Sequence, residues 1–161
     1  MAIPTSIQDF LKTRGVPFST LTHRTAFTAQ EEAAVTHVRG REWAKTVVCI
    51  ADGNPILAVL PAHFSVDLDR LRPLVGATTI RLAQESEIVR LYPDCEAGAM
   101  PPFGPLYGHR VFVDSSLAAD PEVVFNAGTH TDAIRVRYQD LVKVVGPVVG
   151  DFGRAPGRAW T

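Results

Sequence analysis

The chain has 161 residues, of which 46% are hydrophobic and 20% charged, and its formal net charge is −1. This composition is typical of a globular domain with its own core. A charge so close to zero excludes a general electrostatic attraction to nucleic acid or to an anionic membrane. We therefore expect no DNA partner and no membrane partner, and an RNA partner would need a local basic patch.

The sequence also carries few signs of an oxidising or membrane environment. Its two cysteines, Cys49 and Cys95, are too few for a disulfide framework. The N-terminal region lacks a basic segment followed by an apolar one, so no signal peptide is predicted. No apolar run approaches the length of a membrane span. We expect a cytoplasmic protein.

The first 40 residues contain signals for two helices and one strand. Apolar residues at helical spacing predict a helix over about residues 4–14. Residues 16–21 follow as an edge strand, because Pro17 cannot donate a hydrogen bond within a sheet. Thr28-Ala29-Gln30-Glu31 is a capping-box pattern, which predicts a helix that ends near Val38.

A hairpin of two apolar strands follows. Residues 45–51 and 56–60 are nearly continuous in apolar side chains, and the turn between them contains Asp52-Gly53. Strands that are apolar on both faces are typical of the centre of a sheet, so we expect the hairpin there. Lys45 opens the first strand. It is either an edge residue whose charge reaches solvent or a cation placed for function.

The remaining elements complete a mixed α/β (α+β) prediction. We expect helices at 67–74, 84–92 and 138–145, strands at 77–82, 109–114, 122–126 and 132–136, and a flexible tail at 150–161. Asp67 is interpreted as a helix cap. One clear hairpin among these elements favours a single compact domain, residues 1–149, over a doubly wound sheet. Its central sheet should be mixed, largely antiparallel and flanked by helices.

The loop at residues 98–108 is the most unusual local feature, with three glycines and three prolines in eleven residues. Glycine permits a close approach of the backbone, and proline fixes φ and removes an N–H group. Such a loop is rigid and leaves a few N–H groups free. It could bind a carbonyl oxygen or an oxyanion, and a structural turn without a ligand is the alternative.

Several kinds of chemistry lack sequence support. The five histidines show no HExxH or HxH spacing and there is no CxxC pair, so we expect no metal and no cofactor. Nucleophile-elbow and phosphate-loop motifs are absent. Nothing near Cys95 lowers a thiol pKa in a recognisable way, which argues against a thiol nucleophile.

The order of the motifs resembles the YbaK/EbsC family of aminoacyl-tRNA deacylases, which are relatives of the editing domain inserted in bacterial prolyl-tRNA synthetases. The resemblance covers about residues 5–146. Its most specific parts are the Ala-Lys-Thr start of the first hairpin strand and the GxxxP loop. The matching pieces are His23 and residues 28–33, 44–48, 58–62, 66–68, 98–104 and 126–130.

The resemblance implies hydrolysis, in trans, of the ester between a wrong amino acid and the 3′-terminal ribose of a tRNA. Lys45 would hold the terminal nucleotide, and the loop would supply N–H groups to the ester carbonyl. Backbone groups and the ribose hydroxyl would place the water. The implied catalytic residues are Lys45, Gly98, Ala99, Met100 and Pro102, and the implied substrate-binding residues are His23, Thr46, Phe103, Gly128, Thr129 and His130.

Some points stay open at this level. His130 could contact the substrate amine or cap the turn after Gly128, and His23 could line the site or lie in a surface loop. The resemblance implies the acceptor 3′ end of an aminoacyl-tRNA as the partner, and an aminoacyl-tRNA synthetase as a further option. A non-catalytic binding module and a small-molecule hydrolase are the alternative functions. The sequence between Glu96 and Pro105 departs from some relatives, which leaves the amino-acid specificity open.

Overall fold

The predicted hairpin lies at the centre of the fold. The computed structural model describes residues 3–22 and 43–156. Strands β2 (Ala44–Ala51) and β3 (Asn54–Pro61) pair antiparallel along their whole length. The turn between them has left-handed backbone at both residues, with φ of 48° at Asp52 and 82° at Gly53. This is the geometry that a two-residue hairpin turn requires, and it explains the Asp-Gly sequence.

Five strands form the central sheet in the order β5-β2-β3-β6-β9. Its other members are β5 (Ile80–Leu82), β6 (Arg110–Asp114) and β9 (Val148–Gly150). The β5–β2 and β2–β3 pairs are antiparallel, whereas β3–β6 and β6–β9 are parallel. The expected central position of the hairpin and the mixed character of the sheet are therefore confirmed. The sheet is not largely antiparallel, because two of its four strand pairs are parallel.

A second sheet has the order β1-β8-β7 and is antiparallel throughout. It consists of β1 (Ser19–Thr22), β7 (Glu122–Asn126) and β8 (Asp132–Arg137). Trp43, just before β2, forms an isolated parallel bridge to Val124 in β7. This bridge joins the two sheets beside the start of the hairpin.

Helices cover the faces of the sheets. They are α1 (Thr5–Thr13), α2 (Leu68–Val75), α3 (Glu85–Leu91), the short α4 (Gly104–Tyr107), a 3-10 helix (Ser115–Ala119) and α5 (Tyr138–Val145). Asp67 caps α2, because its carboxylate accepts from the N–H groups of Asp69 and Arg70 at 3.1 and 3.3 Å. The cap interpretation is confirmed. Within the described residues no helix is long and apolar enough to cross a bilayer.

Strand β2 separates two clusters of buried apolar side chains, since alternate residues of a strand face opposite sides. We call the first the main core; it contains Ala44 and Val48 and receives α1 and the second sheet. We call the other the second core; it contains Cys49 and Ala51, and α2 packs there. Helix α1 contributes Ile7, Phe10 and Leu11 to the main core.

The C-terminal prediction was wrong for residues 150–154. Phe152 has no exposed surface and belongs to the second core. Residues Gly153–Arg154 form strand β10, which pairs antiparallel with β4 (Ser65–Val66). Buried Asp114 accepts hydrogen bonds from the N–H groups of Phe152 and Gly153 at 3.0 and 2.6 Å. The glycines and charged residues of this segment predicted a flexible tail, although one aromatic residue, Phe152, is buried.

The helix predicted at residues 28–38 lies outside the described residues.

Replacing Phe152 by alanine should lower the free energy of unfolding by about 3–5 kcal/mol, the usual cost of removing a buried phenylalanine. Chemical denaturation measures this value. Arg154→Ala is the matched control, because its side chain is exposed and its contact is an exposed ion pair with Asp67. Equal, small effects of both substitutions would show that the segment does not pack as described.

Candidate functional site

Two segments that are distant in sequence are joined by backbone hydrogen bonds near the end of β7. The N–H of Gly128 donates to the carbonyl of Ala99 at 2.8 Å, and the N–H of Glu96 donates to the carbonyl of Gly128 at 2.7 Å. The N–H of Ala99 in turn donates to the carbonyl of Glu96 at 3.0 Å. The glycine–proline loop and the turn after β7 therefore form one structural unit.

His130 lies against the first glycine of the loop. Its Nε2 donates to the carbonyl of Ala97 at 2.8 Å, and its backbone N–H donates to Oε1 of Glu96 at 2.9 Å. A Cβ atom on Gly98 would lie 3.4 Å from Cε1 of His130, and Gly98 has a φ of +86°. Through these contacts His130 holds the loop in place. Its Nε2 proton is used in the hydrogen bond to the carbonyl of Ala97.

The loop keeps N–H groups available. Among the described residues, the N–H groups of Gly98 and Met100 donate to no acceptor, and Pro101 and Pro102 have no N–H to donate. Gly98 is exposed and Met100 is 4% exposed, and free backbone N–H groups are the donors with which a protein stabilises an oxyanion. The free donors match the expectation from the glycines and prolines of the loop, and their role towards an oxyanion stays a prediction.

The loop's larger side chains face inward. Met100 is 4% exposed, and Phe103 has no exposed surface. The Phe103 ring lies 5.1 Å from that of Phe10 and 5.3 Å from that of Phe125, centroid to centroid. Pro102 is buried as well. These side chains fix the loop on the main core, so the backbone of the loop is the part left for a ligand.

The turn after β7 is held by buried polar contacts. Thr129 has no exposed surface, and its hydroxyl donates to Oδ2 of Asp132 at 2.6 Å and accepts from the N–H of Thr131 at 3.2 Å. Gly128 has a φ of +92°, and a Cβ there would approach Cδ of Pro4 to 2.8 Å. Both residues shape the turn that carries His130.

Lys45 and Thr46 lie on opposite faces of β2, since side chains alternate along a strand. Lys45 is half-buried and pairs with Leu60 of β3, and burial lowers the pKa of its ammonium group from the ordinary value. Thr46 is 8% exposed and lies between Ala44 and Val48 on the main-core face. Its hydroxyl makes no hydrogen bond with any described residue, which is costly for a buried group.

The bridge between Trp43 and Val124 relates these strand residues to the turn. From this bridge β2 and β7 advance in the same direction, because the bridge is parallel. The backbone of Lys45 and Thr46 therefore lies beside the end of β7, where residues 126–132 turn and contact the loop. The Thr46 side chain faces the main core with Met100 and Phe103, whereas the Lys45 side chain projects from the opposite face of the strand. The candidate site comprises the start of β2, this turn, and the loop from residue 96 to residue 103.

Some predicted or considered residues fall elsewhere. His23 lies outside the described residues. The Cys95 thiol has a pKa raised to about 11, chiefly by burial, so it is protonated and unsuited to nucleophilic attack. In residues 3–22 and 43–156 no cluster of histidine, cysteine and carboxylate side chains could hold a metal ion.

Two residues of this region were not identified from the sequence. Glu96 joins the loop to His130, and Asp132 joins Thr129 to Thr22, whose hydroxyl lies 3.5 Å from Oδ1 of Asp132. Their contacts span up to 110 positions of the chain. No local pattern signals such contacts, and only the relation to the loop motif could have drawn attention to Glu96.

Comparisons with known proteins relate the whole chain to a family and a fold. The model of the aminoacyl-tRNA editing domain family matches residues 23–144. Proline–tRNA ligase of Leuconostoc citreum (strain KM20) is 28% identical over 131 residues, which make up 80% of this chain and 22% of that protein. The chain thus spans about a fifth of the length of this curated relative.

Solved structures share the fold. One, described as a candidate trans-editing enzyme for prolyl tRNA synthetase, has a TM-score of 0.79 at 25% identity and covers 97% of this chain and 100% of that chain. The hypothetical protein APE2540 has a TM-score of 0.83 at 24% identity, with 92% and 99% of the two chains covered. The second likeness shows the fold alone. The predicted mixed α+β single domain is confirmed.

Glu96→Ala should loosen the loop, because the N–H of His130 loses its acceptor. One such hydrogen bond contributes about 1–1.5 kcal/mol, so exchange of the His130 amide hydrogen should accelerate roughly five- to tenfold. Glu96→Gln keeps an acceptor oxygen and serves as the control. NMR-detected exchange measures both variants, and equal rates in Glu96→Ala and the wild type would contradict the described contact.

Proposed function

The chain belongs to the aminoacyl-tRNA editing domain family, and on this premise we propose that it deacylates mischarged tRNA by hydrolysing the ester at the 3′-terminal ribose. The observation that carries the proposal is the loop of residues 96–103. Its free N–H groups at Gly98 and Met100 are held by buried side chains and by hydrogen bonds to the turn after β7. A rigid pair of donors is the arrangement needed where negative charge develops on an oxygen.

This arrangement supports the following reaction. A water molecule attacks the ester carbonyl carbon, and the carbonyl oxygen gains negative charge beside the N–H groups of Gly98 and Met100. The carbon–oxygen bond to the ribose then breaks. The ribose oxygen takes up a proton, and the amino acid leaves with the new carboxyl oxygen from water. Backbone groups and the neighbouring ribose hydroxyl position the water, in agreement with the family resemblance.

Lys45 holds the terminal nucleotide in this proposal. An ammonium group is a compact cation with three donors, which suits a phosphate or ribose oxygen. Burial lowers the pKa of Lys45 by disfavouring its charge, and a bound phosphate acts in the opposite direction. A bound phosphate therefore stabilises the charged form of Lys45 more than it would stabilise an ammonium group on an open surface.

A second sieve explains why such a hydrolase is needed. Synthetase pockets discriminate amino acids that differ by one methylene by only about 1–3 kcal/mol. We assign the small sieve pocket to the space between the hairpin and the loop, near Thr46 and Met100. The prolyl relatives favour tRNA for proline as the substrate and prolyl-tRNA synthetase as a partner. We place the reaction in the cytoplasm, as part of the same proposal.

Lys45→Ala should reduce deacylation by about 10- to 100-fold, because a charge-assisted contact to the nucleotide is lost. Lys45→Arg, which keeps the charge, should lose less. The measurement is deacylation of proline tRNA mischarged with alanine, serine, threonine or cysteine, each compared with its spontaneous rate. No cleavage of any ester by the wild type would favour the non-catalytic binding module. Undiminished cleavage by Lys45→Ala would show that Lys45 does not take part in substrate binding.

The salt dependence of tRNA binding should be shallow, with a slope of log K against log salt of about −1 to −2, because few phosphates are neutralised. Lys45→Ala should reduce the slope by about one. Arg110→Ala should leave it unchanged, since Arg110 aligns with Ile56 and lies about 13 Å along the sheet from Lys45. Binding titrations at several salt concentrations measure the slope, and a steep value would contradict the picture of few contacts.

A further inference from the structure

Asp132 is a buried carboxylate that lacks a cationic partner among the described residues. It is 8% exposed. Its side chain accepts from the hydroxyl of Thr129 at 2.6 Å, and the hydroxyls of Thr131 and Thr22 lie at 3.4 and 3.5 Å. None of these groups carries a positive charge. Buried carboxylates in proteins are usually paired with a cation or with several N–H donors.

Asp114 provides the contrast within the same chain. It is 2% exposed, and its carboxylate accepts from the backbone N–H groups of Ser116, Phe152 and Gly153. Asp114 is thus engaged by donors that belong to the fold. Within residues 3–22 and 43–156, the donors to the Asp132 carboxylate are the hydroxyl groups of threonines, which can also accept hydrogen bonds and can turn towards a ligand.

Asp132 also lies beside the loop. It is the first residue of β8, and its carbonyl accepts from the N–H of Ala127 at 3.0 Å, which closes the turn whose Gly128 and His130 contact the loop. Strand alternation places Asp132 on the same face as Ile134, which belongs to the main core. Thr46, with its unpaired hydroxyl, faces the same core from β2.

We propose that Asp132 binds the α-ammonium group of the aminoacyl ester. This subsite rests on the proposed function, since it requires the ester carbonyl at the Gly98 loop. The free amino group of an aminoacyl ester is protonated near neutral pH, and His130 already uses its Nε2 proton on Ala97. The carboxylate is the complementary charge at the edge of the same turn. The enzyme then distinguishes aminoacyl-tRNA from tRNA whose amino group is blocked in a peptide bond.

The experiment measures binding separately from cleavage. The probes are tRNAs for proline whose terminal ribose carries an alanyl or a seryl group through a stable amide bond. Each has a counterpart that lacks only the amino group, a propionyl or a 3-hydroxypropionyl group. Wild type should bind the amine-bearing probes about 10- to 100-fold more tightly. Asp132→Asn should bind both kinds of probe within about twofold of each other. Asp114→Asn, the matched buried carboxylate, should be less stable yet keep the preference.

Each outcome decides one question. Equal affinity of wild type for both kinds of probe, or no binding of either, overturns the subsite without any variant, so a misfolded Asp132→Asn protein does not prevent the test. A preference that persists in Asp132→Asn overturns the assignment to this carboxylate. Cleavage of the corresponding esters is measured in parallel. A binding preference without cleavage would leave the subsite in place and overturn the proposed hydrolysis.

Discussion

The hydrogen bonds between residues 96–99 and the turn after β7 are the interaction on which the site depends. Each segment alone would be an irregular loop with unpaired backbone groups. Together they exchange backbone hydrogen bonds through Glu96, Ala99 and Gly128. His130 adds hydrogen bonds from its backbone N–H to the Glu96 side chain and from its Nε2 to the carbonyl of Ala97. The N–H groups of Gly98 and Met100, which donate to no acceptor in the described part of the chain, are held at fixed positions by this pairing. The rigidity of the loop and the availability of its N–H groups therefore have the same physical origin.

The environment beneath the loop reinforces this rigidity. Phe103 packs between Phe10 and Phe125, so a helix from the start of the chain and a strand near its end support the same loop. Two buried polar residues, Thr46 and Asp132, lie on strand faces that point to the main core, and the Thr46 hydroxyl makes no hydrogen bond with any described residue. An apolar floor with polar groups at its edge provides both a size limit and an orientation for a small polar ligand.

Local patterns in the sequence were sufficient for most of the fold. The Asp52-Gly53 turn, the apolar hairpin and helix α5 were predicted correctly, because each signal lies within a few residues. The burial of Phe152 was missed, since it depends on Asp114, 38 positions earlier. The loop was recognised from its own composition and from the family resemblance. Glu96 and Asp132 were not, because their importance comes from partners that only the folded chain brings near.

The contact between Asp114 and residues 152–153 has a consequence for folding during synthesis. Strand β6 and most of the second core are synthesised well before Phe152 leaves the ribosome. The interval between the synthesis of β1 and that of its partner β8 is longer still. A nascent chain that ends before this segment exposes the apolar surface of the second core. It also leaves the Asp114 carboxylate without the N–H groups of Phe152 and Gly153. Such contacts between distant positions slow folding. The last 10 to 15 residues of the described chain therefore act as a late closing step, and premature termination there should yield a protein that chaperones retain or proteases remove.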